Sequence, residues 1–292
     1  MATKILVAGS TGTQGGSVVD QLLSGAYGEY DVYGLTRDVD SDAARALETR
    51  GVTMLEGDLT DAERMRECCE GMDAVFCVTT FFEAGTDVET EQGVTLAEAA
   101  KQAGVERFVL SSVGRADEAP LAHFASKARV EDRVKELGFD YTIIRPVFFM
   151  QNLTQFYGEE LARGTLSIPM ASDTPLALVD ATDIGKTAAM ALANPERFVG
   201  ETIELAGDNR TPAEIAAALS TVLGHEITHV RPDIDDYRQM AGDEMADMYV
   251  WFEEVGYGAN PVADAETYGI EPNDLEAFLA FNEEFRSTPT SA

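Results

Sequence analysis

Gly9, Gly12 and Gly15 follow the apolar run Ile5-Leu6-Val7-Ala8, and apolar residues at helical spacing begin at Val18. A strand, a bare turn and a helix N-terminus in that order bind phosphate. Free N–H groups and the positive end of the helix dipole face the anion, and the missing Cβ atoms let the main chain approach it. Thr11, Thr13 and Gln14 lie in the same turn and belong to the same cradle. Arg37 ends the next strand-like run. It stands where an acidic residue would hold the ribose 2′-OH of NAD, or an arginine the 2′-phosphate of NADP. Arginine favours NADP(H) over NAD(H). Asp38, Asp40 and Asp42 oppose a phosphate there, and a solvent-facing arginine is the competing reading. Asp58 and Leu59 follow the third strand-like run, on the adenine side, where a plain turn aspartate fits almost as well. Thr79, Thr80 and Phe81 follow the fourth, towards the diphosphate and nicotinamide, unless the aromatic is ordinary core.

The elements that must position these residues alternate through the first half. Strands are expected at 4–8, 31–36, 53–56, 74–78, 107–111 and 141–145, and helices at 15–24, 42–50, 62–70, 88–102 and 124–137. Such alternation builds a Rossmann-type α/β fold, a doubly wound parallel sheet with right-handed crossovers. After Pro146 the pattern loosens. Helices are expected at 147–163, 182–193, 212–223, 244–256 and 275–285, and strands at 165–169, 177–180, 202–205 and 227–231. Thr211-Pro212-Ala213-Glu214 is a capping box with proline at the first helical position. The expected organisation is a dinucleotide-binding domain at 1–150 and a smaller α+β lobe at 151–292, with segments of about 175–205 returning to the sheet.

The 292-residue chain carries 52 acidic against 21 basic residues, a net charge of −31. Hydrophobic content is 45%, so disorder does not explain the charge. Adaptation to a salt-rich cytoplasm is the favoured reading, because dense surface carboxylation keeps a protein hydrated, with a merely acidic protein as the alternative. Direct nucleic-acid binding and anionic membranes are disfavoured, since no cationic surface exists to release phosphate counterions. No apolar run spans a bilayer and no leader is evident, so a cytoplasmic protein is expected. Cys68, Cys69 and Cys77 form no disulfide or metal pattern. His225-Glu226-Ile227-Thr228-His229 fits a zinc-protease pattern, but that chemistry needs a helix. Leu223-Gly224 ends one just before it and β-branched residues follow. No metal site is expected.

The glycine turn, Leu35-Thr36-Arg37, Gly57-Asp58-Leu59, Val78-Thr79-Thr80-Phe81-Phe82-Glu83, His123-Phe124-Ala125-Ser126-Lys127, Arg145-Pro146-Val147-Phe148-Phe149-Met150-Gln151-Asn152 and Val179-Asp180-Ala181-Thr182-Asp183-Ile184-Gly185 appear in sequence order. With these pieces the chain resembles the atypical short-chain dehydrogenase/reductases of the NmrA-like family, and within it the NADPH-sensor branch. The resemblance implies that Phe149 and Asn152 lie beside the cofactor and that Lys127 holds it. Catalytic members of the wider superfamily carry Tyr-x-x-x-Lys, the tyrosine moving the proton and the lysine lowering its pKa. His123 stands in the tyrosine's place. Ser111 or Ser112 stands where a serine would polarise a carbonyl, and either fits a strand-end turn residue. His123 is a candidate proton donor or a packed or ribose-facing histidine. Glu91-Gln92 replaces a basic residue that some relatives place near the cofactor. The leading expectation is an NADP(H)-responsive redox sensor read by a regulatory protein partner, with weak or no dehydrogenase activity. Its rival is an NADPH-dependent quinone or small-carbonyl oxidoreductase. An epimerase or dehydratase is a weaker third reading, because those enzymes need the tyrosine.

Overall fold

The computed structural model describes residues 2–258, 267–282 and 285. The chain divides into two compact units, Met1–Arg145 with Ile184–Ile203, and Pro146–Asp183 with Glu204–Ala292.

In the first unit, strands β1 (Thr3–Val7), β2 (Tyr30–Thr36), β3 (Thr53–Glu56), β4 (Ala74–Val78), β5 (Arg107–Ser111) and β6 (Asp140–Pro146) alternate with helices α1 (Thr13–Leu23), α2 (Asp42–Thr49), α3 (Ala62–Cys69), α4 (Thr86–Gln102) and α5 (Ala122–Leu137). With β10 (Thr202–Leu205) they form a seven-stranded sheet in the order β10-β6-β5-β4-β1-β2-β3. Every neighbouring pair from β3 across to β6 is parallel. This is the expected doubly wound arrangement. The strand order reverses at β1, beside the turn that carries Gly9, Gly12 and Gly15.

Ile5, Leu6, Val7 and Ala8 are fully buried, as a strand covered on both faces requires. On one face Leu6, Val75, Leu110 and Ile143 form a single core with Met65 of α3, Leu96 of α4 and Val130 of α5. Alternate residues such as Ile5, Phe76 and Ile144 turn to the opposite face and are equally buried. There α8 (Ala181–Ala193) crosses α1: a Cβ on Gly185 would overlap the hydroxyl oxygen of Ser17 and sit 2.5 Å from its carbonyl oxygen. The three cysteines are free and buried, and burial pushes the thiols of Cys69 and Cys77 up to about 12.

The second unit holds β7 (Phe148–Phe149), the one-turn helices α6 (Asn152–Gln155) and α7 (Gly158–Leu161), β8 (Thr165–Leu166), β9 (Leu176–Val179), β11 (Asp208–Arg210), α10 (Pro212–Leu223), β12 (Thr228–His229), α11 (Ile234–Ala241), α12 (Asp243–Glu254) and α13 (Leu275–Phe281); α9 (Pro195–Phe198) precedes β10 in the first. Its strands form a three-stranded sheet, β11-β9-β7, and a two-stranded one, β12-β8. The capping box at Thr211 and Glu214 is present as expected.

Several expectations need correction. The helix expected over 147–163 does not form as one element: Phe148 and Phe149 pair with Leu178 and Val179, and the two one-turn helices α6 and α7 follow. Of the segments expected to return to the large sheet, Leu176–Val179 joins the three-stranded sheet instead, whereas Thr202–Leu205 does join the large one. The strands expected at 165–169 and 227–231 shrink to the two-residue pair of β8 with β12. Polar β11 and helix α11 are not among the expected elements. The first is held by antiparallel pairing with β9, and the second has no buried residue and is capped by the Asp233 carboxylate. Residues 283–284 of the expected tail helix and 286–292 of the expected lobe lie outside the described residues.

In the second unit, Asp180 and Asp183 of the Val-Asp-Ala-Thr-Asp motif secure the segment before α13. Asn273 donates its Nδ2 to Asp180 and its backbone N–H to Asp183, both at 2.8 Å. Gln151 donates to the other Asp180 oxygen at 2.7 Å. No helix among the described residues is long and apolar enough to cross a membrane.

Replacing Gly185 by alanine is expected to cost about 2 kcal/mol, since the new methyl group meets main chain that cannot yield. Urea unfolding would measure it, and a variant as stable as the native protein would refute the close helix contact.

Candidate functional site

The glycine turn is shaped by main-chain crowding. Gly9 has φ of 64°, a left-handed conformation that side chains rarely adopt, and its carbonyl accepts from the Gly12 N–H at 2.9 Å. A Cβ on Gly15 would overlap that same Gly9 carbonyl and lie 2.9 Å from the Ala8 oxygen. The turn therefore closes only with bare main chain. Gly12 is the N-cap of α1 and supplies no side-chain oxygen to its first N–H groups. A helix start left open in this way is suited to an anion, and the residues present fit a dinucleotide pyrophosphate. Across the sheet, the Ser111 hydroxyl donates to Gln14 Oε1 at 2.6 Å, tying the end of β5 to the first turn of α1. That bond occupies Ser111 as a positioning group for the turn.

On the adenosine side, Arg37 forms a two-pronged pair with Glu83, Nη1 to Oε2 at 2.5 Å and Nη2 to Oε1 at 2.9 Å. The hydrogen bond, then the charge, raises the Arg37 pKa and lowers that of Glu83. Asp58 accepts from the Thr60 N–H at 2.9 Å and the Thr60 hydroxyl at 2.7 Å, which hold its carboxyl below the usual range. It is a turn-former that also lies within the field of Arg37. Leu59 packs partly against the core.

On the other side of β1, Lys127 sits in a buried polar cluster. Its ammonium lies 2.9 Å from Glu89 Oε1 and donates to the Thr79 carbonyl at 2.9 Å. The Glu89 side chain is 0% exposed and that of Lys127 14%. The Ser126 hydroxyl donates to Glu89 Oε2 at 2.5 Å, and the Thr79 hydroxyl to Oε1 at 3.4 Å. The nearby Cys77 thiol is driven up by burial against the opposing pull of Lys127. One turn earlier, His123 is 6% exposed, with its ring 4.8 Å from Phe81 on one side and 4.8 Å from Phe124, edge-on. Phe81 also stacks on Phe82, which is 70% exposed, at 4.2 Å. Thr80 is exposed.

Residues 1–279 match the NmrA-like family. The NAD(P)H azoreductase of Xenophilus azovorans is 32% identical over 278 residues, 94% of this chain and 89% of that protein. The chain belongs to the NmrA-like family. Two solved structures share its fold. The transcriptional regulator NmrA, in complex with NADP, superposes with a TM-score of 0.80 at 22% identity, covering 99% of this chain and 98% of that one. An NADPH-dependent quinone oxidoreductase from Escherichia coli, complexed with NADPH, gives 0.81 at 23% identity, covering 95% and 100%.

In this NmrA-like chain the structure gathers Gly9, Thr11, Gly12, Thr13, Gln14, Gly15 and Ser111 at the start of α1, with Arg37 and Asp58 to one side and Thr79, Phe81, His123 and Lys127 to the other. Phe149 and Asn152 belong to the second unit. Sequence reasoning missed Glu83 and Glu89. Glu89 had a signal of its own: Val88-Glu89 sits among the core-facing positions of α4, where an unpaired carboxylate is unfavourable. Glu91 of the same helix is exposed. A second missed cluster holds the end of β6. Arg145 donates to both Glu131 oxygens at 2.9 and 2.7 Å and pairs with Asp117 at 2.9 Å, while Ser112 donates to Glu131 at 2.5 Å. Burial raises the Asp117 carboxyl, but the hydrogen bond and charge of Arg145 outweigh it and hold the group low. The zinc-protease spacing does not reach a helix. His225 engages the Leu161 carbonyl at 3.0 Å, and His229 the Ile168 carbonyl at 2.9 Å.

Glu89→Ala is expected to destabilise the protein by about 3–5 kcal/mol, because it strands a largely buried ammonium. Glu89→Leu combined with Lys127→Met should recover most of that loss. Chemical unfolding of the three proteins checks the pairing, and a single variant costing under about 1 kcal/mol would contradict it.

Proposed function

We propose that this protein binds NADP(H) at the glycine turn and serves as a cofactor-responsive regulator with weak or no dehydrogenase activity. The observation that carries the reading is the state of the His123–Lys127 pair. Where a reductase of the wider superfamily has a phenol whose pKa a free ammonium lowers, this chain has an imidazole packed between Phe81 and Phe124. Its lysine is neutralised by a buried carboxylate. A lysine engaged in this way can still orient a ribose hydroxyl, but it offers little electrostatic help to a proton donor.

In this reading the main chain at the start of α1 holds the pyrophosphate, Arg37 takes the 2′-phosphate, and Lys127 with the Thr79–Phe81 segment lies along the nicotinamide ribose. Bound NADPH would supply a hydride there. Exposed Phe82, stacked on Phe81, gives a partner protein a surface through which occupancy of the site is read.

A second reading, an NADPH-dependent reductase of azo or quinone compounds, is favoured by the identity with the Xenophilus azovorans azoreductase. Reduction of such a substrate would take its proton from water or from His123 and needs no tyrosine.

NADPH oxidation followed in concentrated KCl with an azo dye, a panel of quinones and simple aldehydes separates the two. The expected outcome is NADPH binding by calorimetry with oxidation no faster than without protein. Turnover above background would overturn the regulatory reading and favour the reductase. Its disappearance in His123→Ala would then assign the imidazole as proton donor.

A further inference from the structure

We propose that Glu83 is a specificity-determining residue of the cofactor site, whose carboxylate competes with the 2′-phosphate of NADP(H) for Arg37. The inference rests on the cofactor reading above and adds a residue that works against its phosphate preference. Arg37 directly follows β2, and Glu83 lies in the segment between β4 and α4. Since β4 and β2 flank β1 in the sheet, the Arg37–Glu83 pair joins segments on either side of the strand that feeds the glycine turn.

The geometry is what makes the two anions compete for one edge of the Arg37 guanidinium. Both terminal nitrogens of Arg37 are committed to the two oxygens of one carboxylate. That planar fork is the arrangement in which a guanidinium also grips a phosphate monoester, and it can serve only one such partner at a time. The side chains are 63% and 54% exposed. An exposed pair of this kind is weakly held in water and is readily exchanged for a dianion. Asp58 is not equivalent, because one of its oxygens is already taken by both Thr60 donors. With an unphosphorylated ribose, Arg37 and Glu83 remain paired and nothing is lost. A 2′-phosphate that takes the Nη1/Nη2 edge displaces the carboxylate, which stays near a second negative group. Glu83 therefore lowers affinity for NADP(H) selectively and narrows the gap to NAD(H).

Dissociation constants for NADP, NAD and adenosine 2′-monophosphate, measured by calorimetry on the native protein, Glu83→Gln, Arg37→Gln and the double variant, test this. Glu83→Gln is expected to tighten NADP and adenosine 2′-monophosphate about fivefold while moving NAD less than about twofold. In the Arg37→Gln background the same substitution should no longer separate the two dinucleotides. An unchanged NADP-to-NAD ratio in Glu83→Gln would overturn the proposal, as would an equal gain persisting without Arg37, which would mark a bulk charge effect. Failure of the native protein to bind either dinucleotide would overturn the cofactor reading itself. Native binding with an unaltered ratio would sink only the role of Glu83.

Discussion

A single steric constraint organises the first unit: the start of α1 presses against the carbonyl of Gly9, leaving no room for a Cβ at Gly15. The helix can begin directly behind β1 only because that side chain is missing. A second bare contact, Gly185 against Ser17, brings α8 onto the other side of the same helix. Fixed at both contacts, α1 presents its N-terminus at the point where the strand order reverses. The end of β2 and the segment after β4 then flank it, so Arg37, Glu83, Thr79 and Lys127 are placed by topology before any side-chain contact is considered.

Electrostatics adds a second layer to this frame. In a chain so rich in carboxylates the scarce cations do not stay alone. Lys127 and Arg145 are both drawn into largely buried clusters, the first around Glu89 and the second around Glu131. Taking a charge out of water is costly, and Coulomb attraction offsets that cost only when the remaining hydrogen-bonding capacity is also used. Ser126, Thr79 and Ser112 do that. The outcome differs for chemistry: the carboxylate that makes Lys127 tolerable in the interior also removes its free charge from the position beside His123.

The first half of the chain was legible because its information is local. A fully apolar run means a strand buried on both faces, and glycines after it mean a turn that main chain must approach, so β1, the turn and α1 all follow. Arg37 was legible by its place after β2. Glu83 was not, because nothing local says that a residue far along the chain will reach the same guanidinium. Glu89 could be suspected from an acid on a core-facing helical position, but its partner could not. In the second unit, Phe148 and Phe149 fit a helix as well as a strand, and pairing with β9 chose between them.

Composition and pattern alone therefore settled the α/β class, the glycine turn between β1 and α1 and the placement of Arg37 after β2. These follow from backbone sterics and residue type, which act over a few neighbours. Folding in three dimensions settled the pairing of Lys127 with Glu89, the engagement of Arg37 by Glu83, the tethering of Ser111 to Gln14 and the structural use of Asp180 and Asp183. Each depends on groups brought together by crossovers or chain returns, and hydrogen bonding between distant residues leaves no periodic trace along the chain.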